Sequence, residues 1–417
     1  MSRRLATMLQ LAVLAACGSR TFEPFDAGTS NDAASDRDGI SPEVDASTLQ
    51  PCHDDLDADG YDSTRCGGRD CDDLDPSVHP EVGDPIVEWQ SEVVDATDDP
   101  GGTTEIELDG AGKVHIAYTT IAFDYEGVLE LRYATNVSGV WTIDVIDHVG
   151  RVYYYPIGLA LDSAGNPHIT YSVEERNELR WAHREDDRWT IEVIASAMIQ
   201  PGIGSSVEVT PDGTLHVVYG PEGEGLFYAR RGDEWRVQNL TPGYLYWGSL
   251  GFTSDGSLHV SYMGSGAALR HGRLANDGWH DEVVLSDARD ATTDISQVVD
   301  ESDRIDVAFF SEFLSIASLE EREWTVEVVD AEARGAATLR CIARLAAGTL
   351  WIGYSYGSLL RVARRVEAGW SIETVATLAS RPSFAADDDS LHFSHGTWNW
   401  PGGQLMHTWR ALGRECR

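Results

Sequence analysis

The chain has 417 residues, with 69 acidic against 31 basic side chains, for a formal net charge of −38. Such a field repels nucleic acid and anionic lipid surfaces, so a function built on binding either through charge is excluded. Hydrophobic residues make up 42% of the chain, enough for a sizeable core, so the acidity belongs to a folded protein. Lysine occurs once, at Lys113, and arginine carries nearly all the positive charge.

The first residues read "MSRRLATMLQLAVLAACGSR". Arg3 and Arg4 precede an apolar run over 5–16 that is too short for a permanent bilayer span and suits a secretory signal peptide. The end of that run, Leu14-Ala15-Ala16-Cys17, resembles the lipobox of bacterial lipoproteins. The resemblance implies cleavage before Cys17, its acylation, and a lipid-anchored place in the bacterial cell envelope, outer-membrane or surface-exposed. No later stretch reaches the roughly 18 apolar residues of a membrane helix. Residues 18–50 are rich in Asp, Ser, Ala, Gly and Thr and poor in large apolar side chains, so they are expected to form a disordered acidic tether.

Residues 51–85 are expected to form a small, loop-rich metal-binding module. Asp55, Asp57 and Asp59 alternate ahead of Gly60 and Tyr61, as the first ligands of a calcium loop do: carboxylates at alternate positions, a glycine for the turn, then a backbone carbonyl. An EF-hand would place Glu five residues beyond Tyr61, but Cys66 stands there, so the remaining ligands are sought in Asp70, Asp72, Asp73 and Asp75. Residues 51–84 hold eleven acidic and two basic side chains, a concentration that strains a compact fold without a cation. The DxDxDGY run followed by DCDDxDP resembles the metal-binding motif of bacterial surface proteins and the calcium repeats of thrombospondin type 3. That resemblance implies a bound metal. The carboxylate-rich set favours calcium, with copper, through His53 and His79, as the weaker alternative. An exported chain permits disulfides. One is expected within Cys52, Cys66 and Cys71, a second between Cys341 and Cys416, and one cysteine stays free.

From residue 86 the chain repeats itself: "LDGAGKVHIAYT", "LDSAGNPHITYS", "VTPDGTLHVVYG" and "FTSDGSLHVSYM" recur at a fixed interval, with three more worn copies. Asp-Gly, Asn-Pro and Ala-Gly pairs between short Val-, Ile-, Tyr- and Trp-rich runs predict hairpins, so each repeat reads as a four-stranded blade. A leucine opening the third strand recurs seven times, at Leu131, Leu179, Leu226, Leu269, Leu314, Leu360 and Leu405. The tryptophan opening the fourth strand recurs six times, from Trp141 to Trp370, and the missing copy is Trp89, ahead of the first repeat. The expected fold is therefore all-β: a seven-bladed β-propeller over 86–417, closed by an N-terminal strand at 87–95 that completes the last blade. The repeats resemble the sialidase-like and Asp-box group of β-propellers.

His115, His168, His216, His259 and His392 share one repeat position and are too dispersed to hold one ion, so a structural role beside the turn is expected. Arg132, Arg180, Arg270 and Arg361 belong to the repeat as well. Sialidase chemistry needs arginines from several innermost strands, and the sequence offers them only in the sixth, Arg340 and Arg344. No nucleophile elbow or HExxH pattern is present, and no catalytic residues are assigned. The candidate ligand-binding residues lie in loops expected on one face: Phe123 and Tyr125, Arg151 with Tyr153, Tyr154 and Tyr155, and Trp398 with Trp400. The expected function is recognition of a glycan or protein at the cell surface. The alternatives are a secreted carbohydrate-active enzyme of sialidase-like propeller fold, or a structural surface protein without a specific ligand.

Overall fold

The computed structural model describes residues 88–412, except 98, 121–128, 151–156, 186–187, 197–203, 222, 244–245, 289–294, 321, 335–336, 346–347, 368 and 398–401. Its first strand, β1 (Gln90–Asp95), stands apart from the repeats. Blade 1 follows as β2 (Pro100–Leu108), β3 (Val114–Thr120), β4 (Leu129–Thr135) and β5 (Thr142–Gly150), and blade 2 as β6 (Gly158–Leu161), β7 (Pro167–Val173), β8 (Glu178–Glu185) and β9 (Arg188–Ser196). Blade 3 is β10 (Ser205–Val209), β11 (Leu215–Tyr219), β12 (Leu226–Arg231) and β13 (Trp235–Thr241). Blade 4 is β14 (Tyr246–Phe252), β15 (Leu258–Gly264), β16 (Ala268–Ala275) and β17 (Gly278–Leu285). Blade 5 is β18 (Ile295–Val299), β19 (Ile305–Phe310), β20 (Phe313–Glu320) and β21 (Glu323–Arg334). Blade 6 is β22 (Ala337–Arg344), β23 (Leu350–Tyr356), β24 (Leu359–Val366) and β25 (Gly369–Thr377). Three strands remain, β26 (Ala379–Ala386), β27 (Ser390–Thr397) and β28 (Leu405–Ala411), and β1 joins them as the fourth strand of blade 7.

The protein is thus a seven-bladed β-propeller of four-stranded antiparallel sheets. The first strands of successive blades neighbour one another around the centre, β26 meeting β2 to close the ring. β1 pairs with β28 from Gln90 opposite Trp409 to Asp95 opposite Leu405. In blades 1, 2 and 5 an aspartate at the head of the first hairpin turn accepts backbone hydrogens across it. Asp109 Oδ1 accepts from the amides of Ala111 (2.9 Å) and Lys113 (2.8 Å), and Asp162 and Asp300 act likewise.

The core lies between blades, not within one. The seven repeat leucines are all buried, and apolar clusters join facing blades: Leu131 and Tyr133 of blade 1, for example, meet Leu159, Ile169 and Tyr171 of blade 2. The repeat histidines extend this packing. Each reaches a polar ring on the third strand of its own blade: His115 to Tyr133, His216 to Tyr228 (2.7 Å), His259 to His271 (2.9 Å) and His392 to His407 (2.9 Å), while Trp181 donates to His168 (3.3 Å). The fourth-strand tryptophan of the next blade packs on that ring: Trp189 on Tyr133, Trp235 on Trp181, Trp324 on His271 and Trp141 on His407.

The repeat arginines are also structural. In blades 1, 2 and 6 a second-strand tyrosine and the third-strand arginine converge on an aspartate at the end of the preceding blade's fourth strand. Tyr118 and Arg132 meet Asp95 at 2.7 and 2.9 Å, Tyr171 and Arg180 meet Asp147, and Tyr354 and Arg361 meet Asp330. Burial alone raises the pKa of Asp95, but hydrogen bonds from Thr97, Tyr118 and Arg132 outweigh it and hold the carboxyl below its usual range. In blade 4 the same pair, Tyr262 and Arg270, takes Asp281 from its own fourth strand instead.

Candidate functional site

Every candidate ligand-binding residue named from the sequence (Phe123, Tyr125, Arg151, Tyr153, Tyr154, Tyr155, Trp398 and Trp400) lies outside the described residues. The strands that bracket those segments are described. Antiparallel pairing in blade 1 puts the β3–β4 connection and the β5 exit at the same end of the sheet, opposite the β2–β3 turn. The β27–β28 connection of blade 7 occupies the position equivalent to β3–β4. Three bracketing pairs of strand ends from blades 7, 1 and 2, neighbours in the closed ring, therefore share one face.

That face has a firm frame between blades 7 and 1. Thr120 Oγ1 accepts from the Glu130 amide (3.0 Å) across the foot of one loop. At the foot of another, the Thr397 amide donates to the Gln404 carbonyl and the Gln404 amide donates to Thr397 Oγ1, both at 3.0 Å. Asp99 Oδ1 accepts from the amides of Gly402 and Gly403, each at 2.8 Å, tying blade 7 to the start of blade 1. Close approach of the two backbones requires glycine here. A Cβ on Gly101, at φ +93°, would lie 2.7 Å from the Cα of Gly396.

The innermost strands correct one expectation. β26 begins at Ala379 and so includes Arg381, which gives the seventh blade an inner-strand arginine as well as the sixth. The hydrophobic pattern marked only the end of that strand, because its first half is polar. Arg381 donates to the Gly102 carbonyl (2.7 Å), and Arg344 is engaged by Asp306 and the Gly348 carbonyl, so neither is presented to a ligand carboxylate.

Around the channel, serines at one inner-strand position fasten blades 3, 4, 5 and 7 to the blade that follows. The amides of Leu250, Gln297, Ile342 and Ile106 donate to Ser206, Ser249, Ser296 and Ser383 of the preceding blade, at 3.4, 3.0, 3.2 and 3.3 Å. Two residues further along, Glu107 and Glu208 stand on β2 and β10, each paired in register with the histidine of its second strand. Burial, with the charge of Glu107, pushes the carboxyl of Glu208 well above the usual range. Sequence reasoning missed this pair. The available signal was an acidic residue in "TEIELD" and "SSVEVT" at a position that is Ala, Gly or Val in the other repeats.

Cys17, and the calcium candidates Asp55, Asp57, Asp59, Tyr61, Asp70, Asp72, Asp73 and Asp75, lie outside the described residues. Among the described residues no group of three or more His, Cys, Asp or Glu side chains is placed to hold a metal ion. Cys341 is disulfide-bonded, and the other five cysteines all lie outside the described residues. No described helix is long and apolar enough to cross a membrane.

No family model matches the chain, and no curated protein does. Solved structures do. The polysaccharide lyase Uly1 aligns at a TM-score of 0.51 and 8% identity, over 76% of this chain and 91% of its own. The SapL1 lectin, solved with alpha methyl fucoside, aligns at 0.46 and 11% identity, over 68% and 98%. The fucose-specific lectin from Aleuria aurantia aligns at 0.46 and 16% identity, over 70% and 96%. At these identities the likeness is one of fold.

Proposed function

We propose that the chain is a lipid-anchored, calcium-binding protein of the bacterial cell surface whose propeller is a platform for binding a glycan. The observation that carries this reading is topological. Three segments dense in aromatic residues are bracketed by strand ends on one face of three adjacent blades, and that face is braced by the Asp99 and Thr397 hydrogen bonds. Clustered aromatic rings on a rigid scaffold give large contact area at small entropic cost and stack on the apolar faces of sugars. Since Uly1, which shares the fold, is a polysaccharide lyase, polysaccharides come first among the probes. Cys17 supplies the anchor in this reading. Asp55, Asp57, Asp59, the Tyr61 carbonyl and Asp70 to Asp75 take calcium, stiffening the joint between tether and propeller.

A glycan array probed with the purified chain tests the reading. Single substitutions Trp398→Ala, Trp400→Ala and Tyr154→Ala are each expected to weaken binding by about thirtyfold, the scale of about 2 kcal/mol for an aromatic anchor, with Tm unchanged. Substitutions that lower Tm and leave binding intact mean that these rings support the fold, and the binding face is then elsewhere.

A further inference from the structure

Six of the seven fourth strands carry an acidic residue three places after the repeat tryptophan: Glu92, Asp144, Glu192, Glu282, Glu327 and Glu373. Blade 3 has Gln238 there instead. The acid is a latch between blades. Trp189, Trp324, Trp370 and Trp89 donate through Nε1 to Asp144, Glu282, Glu327 and Glu373 of the preceding blade, at 2.8–3.1 Å. Blade 4, which faces Gln238, turns its groups onto itself. Trp279 Nε1 is buried without a hydrogen-bond partner, and its ring lies over Gly272 of its own third strand, where a Cβ would overlap it. The other third strands carry alanine at that position or, in blade 7, threonine. The second latch is redirected as well. Tyr262 and Arg270 bind Asp281 of their own blade, and the place that Asp95, Asp147 and Asp330 hold elsewhere is Thr241 in blade 3. Among the described residues, the hydrogen bond that crosses from blade 4 to blade 3 is the Leu250 amide on Ser206, at 3.4 Å the longest of the four serine links. The rest is packing: Val218, Leu226 and Leu240 against Leu250, Val260 and Tyr262, with His216 on Phe252. The junction of blades 2 and 3 also lacks its tryptophan link, but Arg231 ties it by two contacts of 3.1 Å to Glu192.

We propose that the propeller opens at this junction: blades 3 and 4 part while the other six junctions stay latched. Apolar packing is non-directional, so two faces held by it can separate and return without stranding a buried donor or acceptor. Opening below the level of global unfolding takes the route that breaks the fewest such contacts. The chain over 242–245 keeps the parted blades joined, and the hydrogen bonds of each sheet lie within a blade, so the ring widens without any blade losing its strands. A widened ring spreads the loops of the binding face, which gives the platform a second conformation.

The test reads thiol accessibility in the full chain. Val218, Ala117 and Ala308 occupy equivalent second-strand positions, are fully buried, and pack in the junctions of blades 3 and 4, 1 and 2, and 5 and 6. Val218→Cys, Ala117→Cys and Ala308→Cys are made singly and labelled with a thiol reagent, the modified peptide being quantified by mass spectrometry. Urea unfolding of each variant gives the labelling rate that global unfolding alone would produce. Val218→Cys is expected to label at least tenfold faster than that limit, and the other two at their limits. Adding Gln238→Glu, Thr241→Asp and Gly272→Ala restores both acids and the Cβ that turns Trp279 outward. It is expected to bring Val218→Cys down to its limit. Val218→Cys labelling only through global unfolding, or all three exceeding their limits alike, overturns the proposal. So does a folded, restored chain that labels as fast as before. If the restored chain does not fold, the three single variants decide.

Discussion

His259 and His271 show what the repeat histidines contribute. Their rings share a hydrogen bond at 2.9 Å, and His271 continues through Ser261 to Gln297 of the next blade, at 2.9 and 2.6 Å. Burial pushes His271 down to about 3 and, helped by the charge of Arg273, His259 down to about 4. His392, next to His407, is likewise pushed to about 3, and His216 to about 4. An unfolded histidine titrates near 6.5, so between pH 6.5 and about 4 the unfolded chain binds protons that the folded chain refuses. The stability contributed by these neutral rings is complete above pH 6.5 and is lost as pH falls. Urea unfolding is expected to show stability dropping steeply from pH 6.5 to 4.5, with a shallower slope in His259→Gln/His271→Gln. A flat profile in that window would falsify the assignment. The histidine position was legible from the repeat; the receiving ring was not, since Tyr133, Trp181, Tyr228, His271 and His407 differ in chemistry and share only a place in the sheet.

At the scale of the element, β1 does more than cover an edge. Ahead of it, Trp89 donates to Glu373 of blade 6 (2.8 Å) and lies under Arg410 (4.6 Å), while its last residue, Asp95, receives Tyr118 and Arg132 of blade 1. One short strand thus engages blades 6, 7 and 1. Deleting residues 88–95 is expected to expose the β28 edge, remove the Asp95 carboxylate that Tyr118 and Arg132 share, and abolish cooperative unfolding, giving an aggregating chain on size exclusion. A monomer that still unfolds in one sharp transition rules this out. The closing role of the strand was readable from counting tryptophans. The aspartate link was also written in the sequence, as Asp95, Asp147 and Asp330, each six residues after a repeat tryptophan, but nothing local says that its partners sit in the following blade.

Across the whole molecule, a net charge of −38 makes self-repulsion a standing cost of the compact state. Raising NaCl from about 10 mM to about 500 mM shortens the screening length from about 30 Å to a few ångströms and is expected to raise Tm. A fall in Tm would show that the ion pairs between blades, such as Arg132 with Asp95, outweigh the repulsion. The sequence by itself determined the blade, the number of blades and the way the ring closes. Those follow from periodic apolar burial and turn chemistry, which are local and repeat with the chain. Only the tertiary structure decided what crosses between blades: the serine-to-amide links around the channel and the aspartates that hold Tyr and Arg. Those contacts join residues a whole repeat or more apart, and their partners become neighbours only when the ring is closed.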